Sequence, residues 1–544
     1  MSDLVPLLVA VPIFGSIFAL LAGLVRSRTG WPLAVLAAGV QVAGALVLAV
    51  DVFDDGPIRY VVGGFTAPFG IELVVDGLSA TMVVLVAVVA LGVLAYARAA
   101  GPRSNAFYAT YLLLVAGLTG MSVTGDVFNM YVFLEITGLA AYALVASGDG
   151  GRPALAALKY LLVGTVGASL FLLGIAYAYV ATGTLNMADL ATQLEAVGYD
   201  SPLVWASFGL LVSGLFVKIA VFPLHTWQPD AYAGAPDSVS ALISALVSTV
   251  AAYALIRIVF SVFTVDFLAA NDIAQTVLVA GAVASIVFGS VIAVSQRDLK
   301  RMLAYSSVSQ FGLVVGAVAV ANDTALTGAM IHLVGHGVMK GGLFLTCGLI
   351  AAATGARTVD EYAGLAERFP VGAGAFGVLA LAMVGIPPAV GFVGKWYVAL
   401  GAVEAEAWPL AVVIFASTLL TLAYFARVIE RIYFRDPPEA SAGSGPADSP
   451  SGSEPGQGSA AGTDPGEDAA TGVATDGAGV DTDGTGTDTD GTSVLAGTDD
   501  VDASAVSTGM VLTVVAAAVL SVALGVAAFE YGQLLEPTIE RLLA

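Results

Sequence analysis

Residues 324–354 read TALTGAMIHLVGHGVMKGGLFLTCGLIAAAT. The stretch holds no Asp, Glu or Arg, and it exceeds the roughly 20 apolar residues that a helix needs to cross the hydrocarbon core of a bilayer. Its ionisable side chains His332, His336 and Lys340 recur at i, i+4 and i+8, so they share one helix face. They span about 12 Å along the axis. A charge at mid-bilayer costs about 2.5–3.5 kcal/mol on insertion scales, so such residues face a protein interior or a hydrated cavity. His and a desolvated Lys both exchange protons near neutral pH. The stripe therefore reads as a row of proton-exchanging groups. The competing reading is a polar face that holds two helices together, a role that seldom calls for Lys.

Working outward, further apolar segments lie at 4–25, 31–51, 75–97, 108–125, 127–147, 155–182, 203–223 and 237–262, then at 274–295, 304–320, 371–400, 406–430 and 507–531. With 324–354 they predict fourteen spans. An all-α integral membrane protein follows, because backbone groups in lipid must be satisfied within their own helix. Composition agrees: 58% of the 544 residues are hydrophobic and 11% are charged, against about 25% charged in soluble proteins. The single cysteine, Cys347, excludes a disulfide framework and a thiolate metal or iron–sulfur site built by this chain alone. Met1 to Pro6 is acidic and no small-residue cleavage site follows, so the first span is expected to be retained.

Charge is uneven along the chain. Asp436 to Asp502 holds 15 acidic residues and no Lys or Arg, so the remainder carries −7 of the net −22. Rich in Gly, Ser, Thr and Asp, this stretch cannot bury a core and is expected to be a disordered acidic linker. If the N-terminus lies outside, Arg26, Arg28, Arg98, Arg103, Arg152, Arg297, Lys300, Arg301, Arg357, Arg368, Arg427, Arg431 and Arg435 fall on the cytoplasmic side. That is 13 of 20 basic residues, with Arg59 and Arg541 outside, as the positive-inside bias requires. Both termini are then outside and the linker is cytoplasmic.

The other basic residues lie within apolar segments. Lys159 and Arg257 are near helix ends and are expected to snorkel. Lys218 and Lys395 lie deeper, as does the acidic Glu135. Pro223 follows Lys218, and Pro387–Pro388 precede Lys395, so helices broken at membrane depth would leave backbone groups free beside each lysine. Ser240, Ser244 and Ser248 repeat at i, i+4, i+8, with Thr249 adjacent, a stripe that suits ordered water or close helix packing equally. Gly372 to Gly377 spells G-x-G-x-x-G, but no strand precedes it, so packing is the better reading. No cofactor, metal or nucleic-acid signature is present.

The motifs together resemble the antiporter-like membrane proteins: the D and A subunits of multisubunit Mrp-type cation/proton antiporters and the proton-pumping membrane subunits of respiratory complex I. The resemblance rests on Thr124–Gly125–Asp126–Val127–Phe128–Asn129 running to Glu135, and on Lys218 through Phe222–Pro223–Leu224–His225–Thr226–Trp227–Gln228–Pro229–Asp230. It also rests on Asp298–Leu299–Lys300–Arg301–Met302–Leu303–Ala304–Tyr305–Ser306–Ser307, on His332 to Lys340, and on Gly385–Ile386–Pro387–Pro388 to Lys395. It covers residues 1–435 and is most similar to the D branch.

The resemblance implies fourteen helices with two inverted five-helix repeats, spans 4–8 and 9–13, and broken spans 7 and 12. The corresponding domains are 1–107, 108–265, 266–435, the linker 436–506 and the last span 507–544. It implies that Glu135 pairs with Lys218, that central groups relay the proton, and that Lys395 exchanges it with the other side. Many relatives carry Lys where Thr249 stands, which leaves that relay step to the serines or histidines. The expected function is proton translocation within a monovalent cation (Na+)/proton antiporter complex in the cell membrane. Other subunits would be its partners; it would need no cofactor and would not be an enzyme. The alternative is a proton-pumping subunit of a complex I-type redox complex.

Overall fold

The computed structural model describes residues 2–436 and 505–544, so the acidic linker expected at 436–506 lies almost wholly outside the described residues. In chain order the helices are α1 (Leu4–Val25), α2 (Gly30–Asp55), α3 (Gly77–Ala100), α4 (Asn105–Val123), α5 (Val127–Val145), α6 (Gly151–Thr182), α7 (Met187–Val197), α8 (Pro202–Ile219) and α9 (Gln228–Gly234). Then come α10 (Asp237–Leu242), α11 (Ser248–Arg257), α12 (Thr264–Ala270), α13 (Asp272–Ser295), α14 (Leu299–Val320), α15 (Asp323–Thr354) and α16 (Leu365–Arg368). The last are α17 (Pro370–Val384), α18 (Val390–Glu404), α19 (Trp408–Phe434), α20 (Thr508–Val526) and α21 (Ala528–Leu543). Helices α10 to α12 join through two π-helical segments, Ile243–Val247 and Ile258–Phe263.

Among the described residues 13 helices are long and apolar enough to cross a membrane, counting Asp237–Ala270 as one. The chain is a multi-pass integral membrane protein. Polar residues mark where these helices begin. Asp76, Asp126, Asp298 and Asn322 each accept a hydrogen bond from the amide three residues on, which satisfies a donor the helix leaves free. Such caps suit the ends of spans, because the middle of a bilayer offers no water to do the same work.

Burial sorts the helices into layers. The most apolar window of Asp237–Ala270 is 100% buried and that of α14 94%, while α19 and α20 reach only 28% each. The interior helices are also those with the polar stripes. Helix α15 packs against α10, α14, α17, α18, α20 and the first π segment. Outside the helices, strands β1 (Ile58–Val61) and β2 (Glu72–Val75) pair antiparallel, Ile58 opposite Val75. The Gly125 amide donates to the Glu72 carbonyl, tying this hairpin to the start of α5.

Two expected elements differ. The segment at 203–223 stops being helical at Ile219, because Ala220 adopts a left-handed φ of 68°. The segment at 507–531 is shorter, and a second helix, α21, follows it with Ala528, Leu535 and Ile539 buried. Its acidic residues and Arg541 keep it out of a reading based on apolar runs alone.

Candidate ion-translocation site

Lys218 occupies the last turn of α8, where the helix has run out of amides for its carbonyls. Two of these carbonyls accept side-chain donors. Val217 O accepts the Trp227 indole N–H at 2.8 Å, and Lys218 O accepts the Ser248 hydroxyl at 3.3 Å. The Lys218 ammonium lies 3.4 Å from the Glu135 carboxylate and 3.3 Å from the Tyr142 hydroxyl, both on α5. Lys218 is buried, whereas the Glu135 side chain is 24% exposed. Space for Tyr142 comes from Gly164 of α6, where an added methyl would collide with the tyrosine hydroxyl.

Lys395 sits beside a second helix end. Helices α17 and α18 are separated by Gly385–Ala389, and Gly385 caps α17 at a left-handed φ of 98°. The Met383 and Val384 carbonyls are thus left over, and Lys395 Nζ donates to them at 2.8 and 3.1 Å. Helix α18 lies close to α15 here: a Cβ on Gly394 would stand 2.8 Å from His332 Cβ. This brings Lys395 to the end of the histidine stripe.

Along α15, His332, His336 and Lys340 are all buried on one continuous helix. Lys340 donates to Leu303 O at 2.7 Å and to Ser306 Oγ at 2.8 Å, and Tyr424 donates to Ser306 at 2.9 Å. The two imidazoles stand 6.2 Å apart, centre to centre. None of their ring nitrogens meets a hydrogen-bond partner among the described residues. Buried polar groups are otherwise almost always paired, so these four nitrogens are places where water would be held.

The serine stripe runs through the π segment Ile243–Val247, which widens one turn, and its three hydroxyls meet different partners. The Ser240 and Ser244 hydroxyls donate to the Tyr232 and Ala241 carbonyls at 2.7 and 3.2 Å. Of the three, Ser248 faces Lys218, within 3.3 Å of the Tyr232 hydroxyl and 3.4 Å of Gln228. Thr249 is wholly buried and its hydroxyl has no partner among the described residues.

Lys159 and Arg257 also differ from simple snorkelling. Lys159 pairs with Asp230 at 2.6 Å, and Arg301 joins the same carboxylate at 2.8 Å. Burial pushes the Asp230 carboxyl up, but these two cations outweigh it and hold it below the usual carboxylate range. Arg257 is paired with Asp76 and its side chain is 11% exposed.

Sequence reasoning missed several participants. Tyr142 was within reach, since it follows Glu135 by seven residues and shares its face. Gln228 and Ser306 lie within the motifs quoted for the resemblance but carried no assigned role, and Tyr232, Tyr424 and Asp76 join through tertiary contacts that no local pattern signals. Among the described residues, no group of three or more His, Cys, Asp or Glu is placed to hold a metal ion.

A family model, NADH:quinone oxidoreductase/Mrp antiporter, transmembrane region, matches residues 124–421, which contain all of these groups except Asp76 and Tyr424. The chain belongs to this antiporter-like family. It is similar to NADH-quinone oxidoreductase subunit N of Desulforudis audaxviator, 47% identical over 446 residues, with 80% of this chain and 87% of that protein covered. It is also similar to the D-type subunit of the Na(+)/H(+) antiporter of Alkalihalophilus pseudofirmus, 36% identical over 392 residues, with 71% and 78% covered. A chain in the structure of the Mrp complex from Dietzia sp. superimposes with a TM-score of 0.81 at 26% identity, covering 100% of this chain and 97% of that one. As a member of the antiporter-like family, the chain is a membrane subunit of a multisubunit cation/proton antiporter or of a related complex I-like redox complex.

Proposed function

We propose that this chain moves protons across the cell membrane as the D-type subunit of a multisubunit monovalent cation (Na+)/proton antiporter. The observation that carries the reading is the buried Lys218 facing a carboxylate that it can release, 3.4 Å away on another helix. Glu135 stabilises the Lys218 ammonium when close and frees it when apart. Ser248, Thr249, Lys340, His336 and His332 then offer exchange sites toward Lys395, with water at the unpartnered imidazole nitrogens. Lys395, held by carbonyl dipoles with no countercharge among the described residues, passes the proton to the opposite side.

In this reading α17 and α18 together make one broken span and the chain crosses fourteen times. Spans 4–8 and 9–13 form two inverted units, residues 108–265 and 266–435, after 1–107 and before 507–544. Each unit breaks at its fourth span, beside Lys218 and beside Lys395, which supports the pairing of the halves. The end of Asp237–Ala270 that bears Asp237 is cytoplasmic, because Arg152, Lys300 and Arg357 gather at the cavity there. Both termini lie outside and the acidic linker is cytoplasmic.

The second reading is a proton-pumping subunit of a redox-driven complex, and it is favoured by the 47% identity to a relative named for NADH-quinone oxidoreductase. One purification separates the two. The intact complex from native membranes should contain small antiporter subunits, and in vesicles a Na+ gradient should generate a pH gradient. Co-purification of iron–sulfur subunits with no Na+-driven proton flux would establish the second reading instead.

A further inference from the structure

Helix α11 carries a second polar stripe. Thr249, Tyr253 and Arg257 stand at i, i+4 and i+8, and α11 is regular throughout, bounded by the two π segments. They therefore lie on one face and span about 12 Å. At one end, Thr249 is fully buried with an unpartnered hydroxyl, next to the Ser248 that touches the Lys218 carbonyl. At the other, Arg257 lines a cavity of about 570 Å³.

From Tyr253 to that cavity the polar groups form a connected set. Arg257 Nε donates to the Tyr253 hydroxyl at 2.8 Å, and its Nη2 donates to Ser79 Oγ at 2.9 Å and to the Asp76 carboxylate. Tyr253 donates to the Ser122 carbonyl at 2.9 Å and lies 2.9 Å from Ser79 Oγ. Asp76 also accepts the Ser79 amide at 3.0 Å, as the cap of α3. None of these groups belongs to the Glu135–Lys218–His–Lys395 set.

We propose that this stripe is a water-filled proton route between the Lys218 centre and the Arg257 end of the protein, closed by the Asp76–Arg257 ion pair. The inference rests on the proton-translocating reading above. Asp76 is the titratable group at the mouth. Glu72, Glu195 and Asp266 line the same cavity, with Arg59 and Arg541, and offer the Arg257 guanidinium other carboxylates. When Arg257 turns to one of them, Asp76 takes a proton from cavity water. The proton passes through the Ser79 hydroxyl, 3.2 Å from Asp76 and 2.9 Å from Tyr253, to the Tyr253 hydroxyl, which accepts it on one lone pair while releasing its own through water toward Thr249, so no net charge is left on either hydroxyl. The guanidinium stays at the mouth in either pairing and repels metal cations, and hydroxyls exchange protons, so the route carries protons and not Na+. It gives the first half of the molecule an exchange path of its own, at the helix that bears Thr249.

The test is thiol accessibility in the intact complex, reconstituted into vesicles of known orientation. Cys347, the chain's single cysteine, is replaced by Ala, and Thr249→Cys is introduced. A small membrane-impermeant methanethiosulfonate is added to one face at a time, and labelling of this chain is read by mass. Ser261→Cys, which lines the cavity, fixes the side from which the cavity is reached.

The expected result is labelling of Thr249→Cys from the Ser261 side only. Adding Asp76→Asn should speed it by about tenfold, as unlocking a two-state gate by one factor of ten requires. Asn keeps the helix cap, and Arg257→Gln provides a second unlocked variant should Asp76→Asn fail to assemble. Labelling from the opposite face, or none in any background while Ser261→Cys is labelled, overturns the route. If labelling follows expectation but the wild-type complex moves no protons, the proposed function falls and the aqueous route stands.

Discussion

Gly394→Ala tests whether the closeness of α15 and α18 is what places Lys395. The added Cβ would lie 2.8 Å from both Cα and Cβ of His332 and 2.9 Å from its backbone nitrogen. Relaxed carbon–carbon contact needs about 3.5–4.0 Å, so α18 must retreat by about 1 Å, because helix backbone cannot turn aside as a side-chain tip can. Overpacking of this kind costs about 1–3 kcal/mol, which leaves the protein folded. Lys395 moves with the helix, and its 2.8 and 3.1 Å bonds to Met383 and Val384 stretch beyond hydrogen-bond range. A misplacement of about 1 Å at a reacting centre costs on the order of 10²-fold in rate.

The assay is proton uptake into vesicles per assembled complex, with assembly measured by co-purification. Turnover should fall by at least about tenfold while assembly falls by less than about twofold. The control is Gly374→Ala, whose Cβ meets nothing within 4 Å and which should leave both quantities unchanged. Wild-type turnover in a normally assembled Gly394→Ala complex would refute the geometric argument.

Four further outcomes are expected. Lys395→Ala should assemble but lose proton-coupled flux, because it removes the exchange group together with its insertion cost. Glu135→Gln should cut turnover per complex severely and Glu135→Asp less so, since the aspartate keeps the charge at a longer gap; equal turnover with reduced abundance would make the pair a fold support. Asp230 is held below the usual carboxylate range by burial opposed and outweighed by Lys159 and Arg301, so its stabilising share is full above the ordinary carboxylate pKa of about 4 and fades as pH falls through the lowered native value. Thermal stability of the wild type should therefore drop more steeply below about pH 4 than that of Asp230→Asn. Deleting Gly443 to Thr498, a stretch with little apolar surface to bury, should leave insertion and flux near wild type.

Much of this architecture was legible because lipid removes alternatives. A run such as 324–354 has nowhere to be but across the membrane, and a lysine within it must face inward. What the sequence concealed falls into three physical classes. The π segments have no composition of their own, so nothing in the serine spacing signals the widened turn at Ile243–Val247. Arg257 reads as snorkelling because its partner, Asp76, is 181 positions away in the chain, and no local rule pairs them. Helix α21 carries Glu530, Glu536, Glu540 and Arg541 around a narrow apolar face; a search for continuous apolar runs passes over it, whereas a search for helical periodicity finds it.

The three buried lysines of the proposed path are not equivalent, and the difference follows from what each one touches. Lys218 faces a full negative charge on Glu135. Lys340 and Lys395 face neutral acceptors: carbonyls in both cases, together with a serine hydroxyl for Lys340. A charge inside low-dielectric protein is costly unless it is paired, and dipoles offset only part of that cost. A proton resident on Lys340 or Lys395 therefore raises the energy of the whole centre, and the ammoniums repel one another along the path. The proton on Lys218 does not, so long as Glu135 stays near. Moving Glu135 away would thus change which lysine best accommodates the charge. Of these groups Glu135 is also the one whose side chain is most exposed, so a neighbouring element can act on it while the lysines stay sealed.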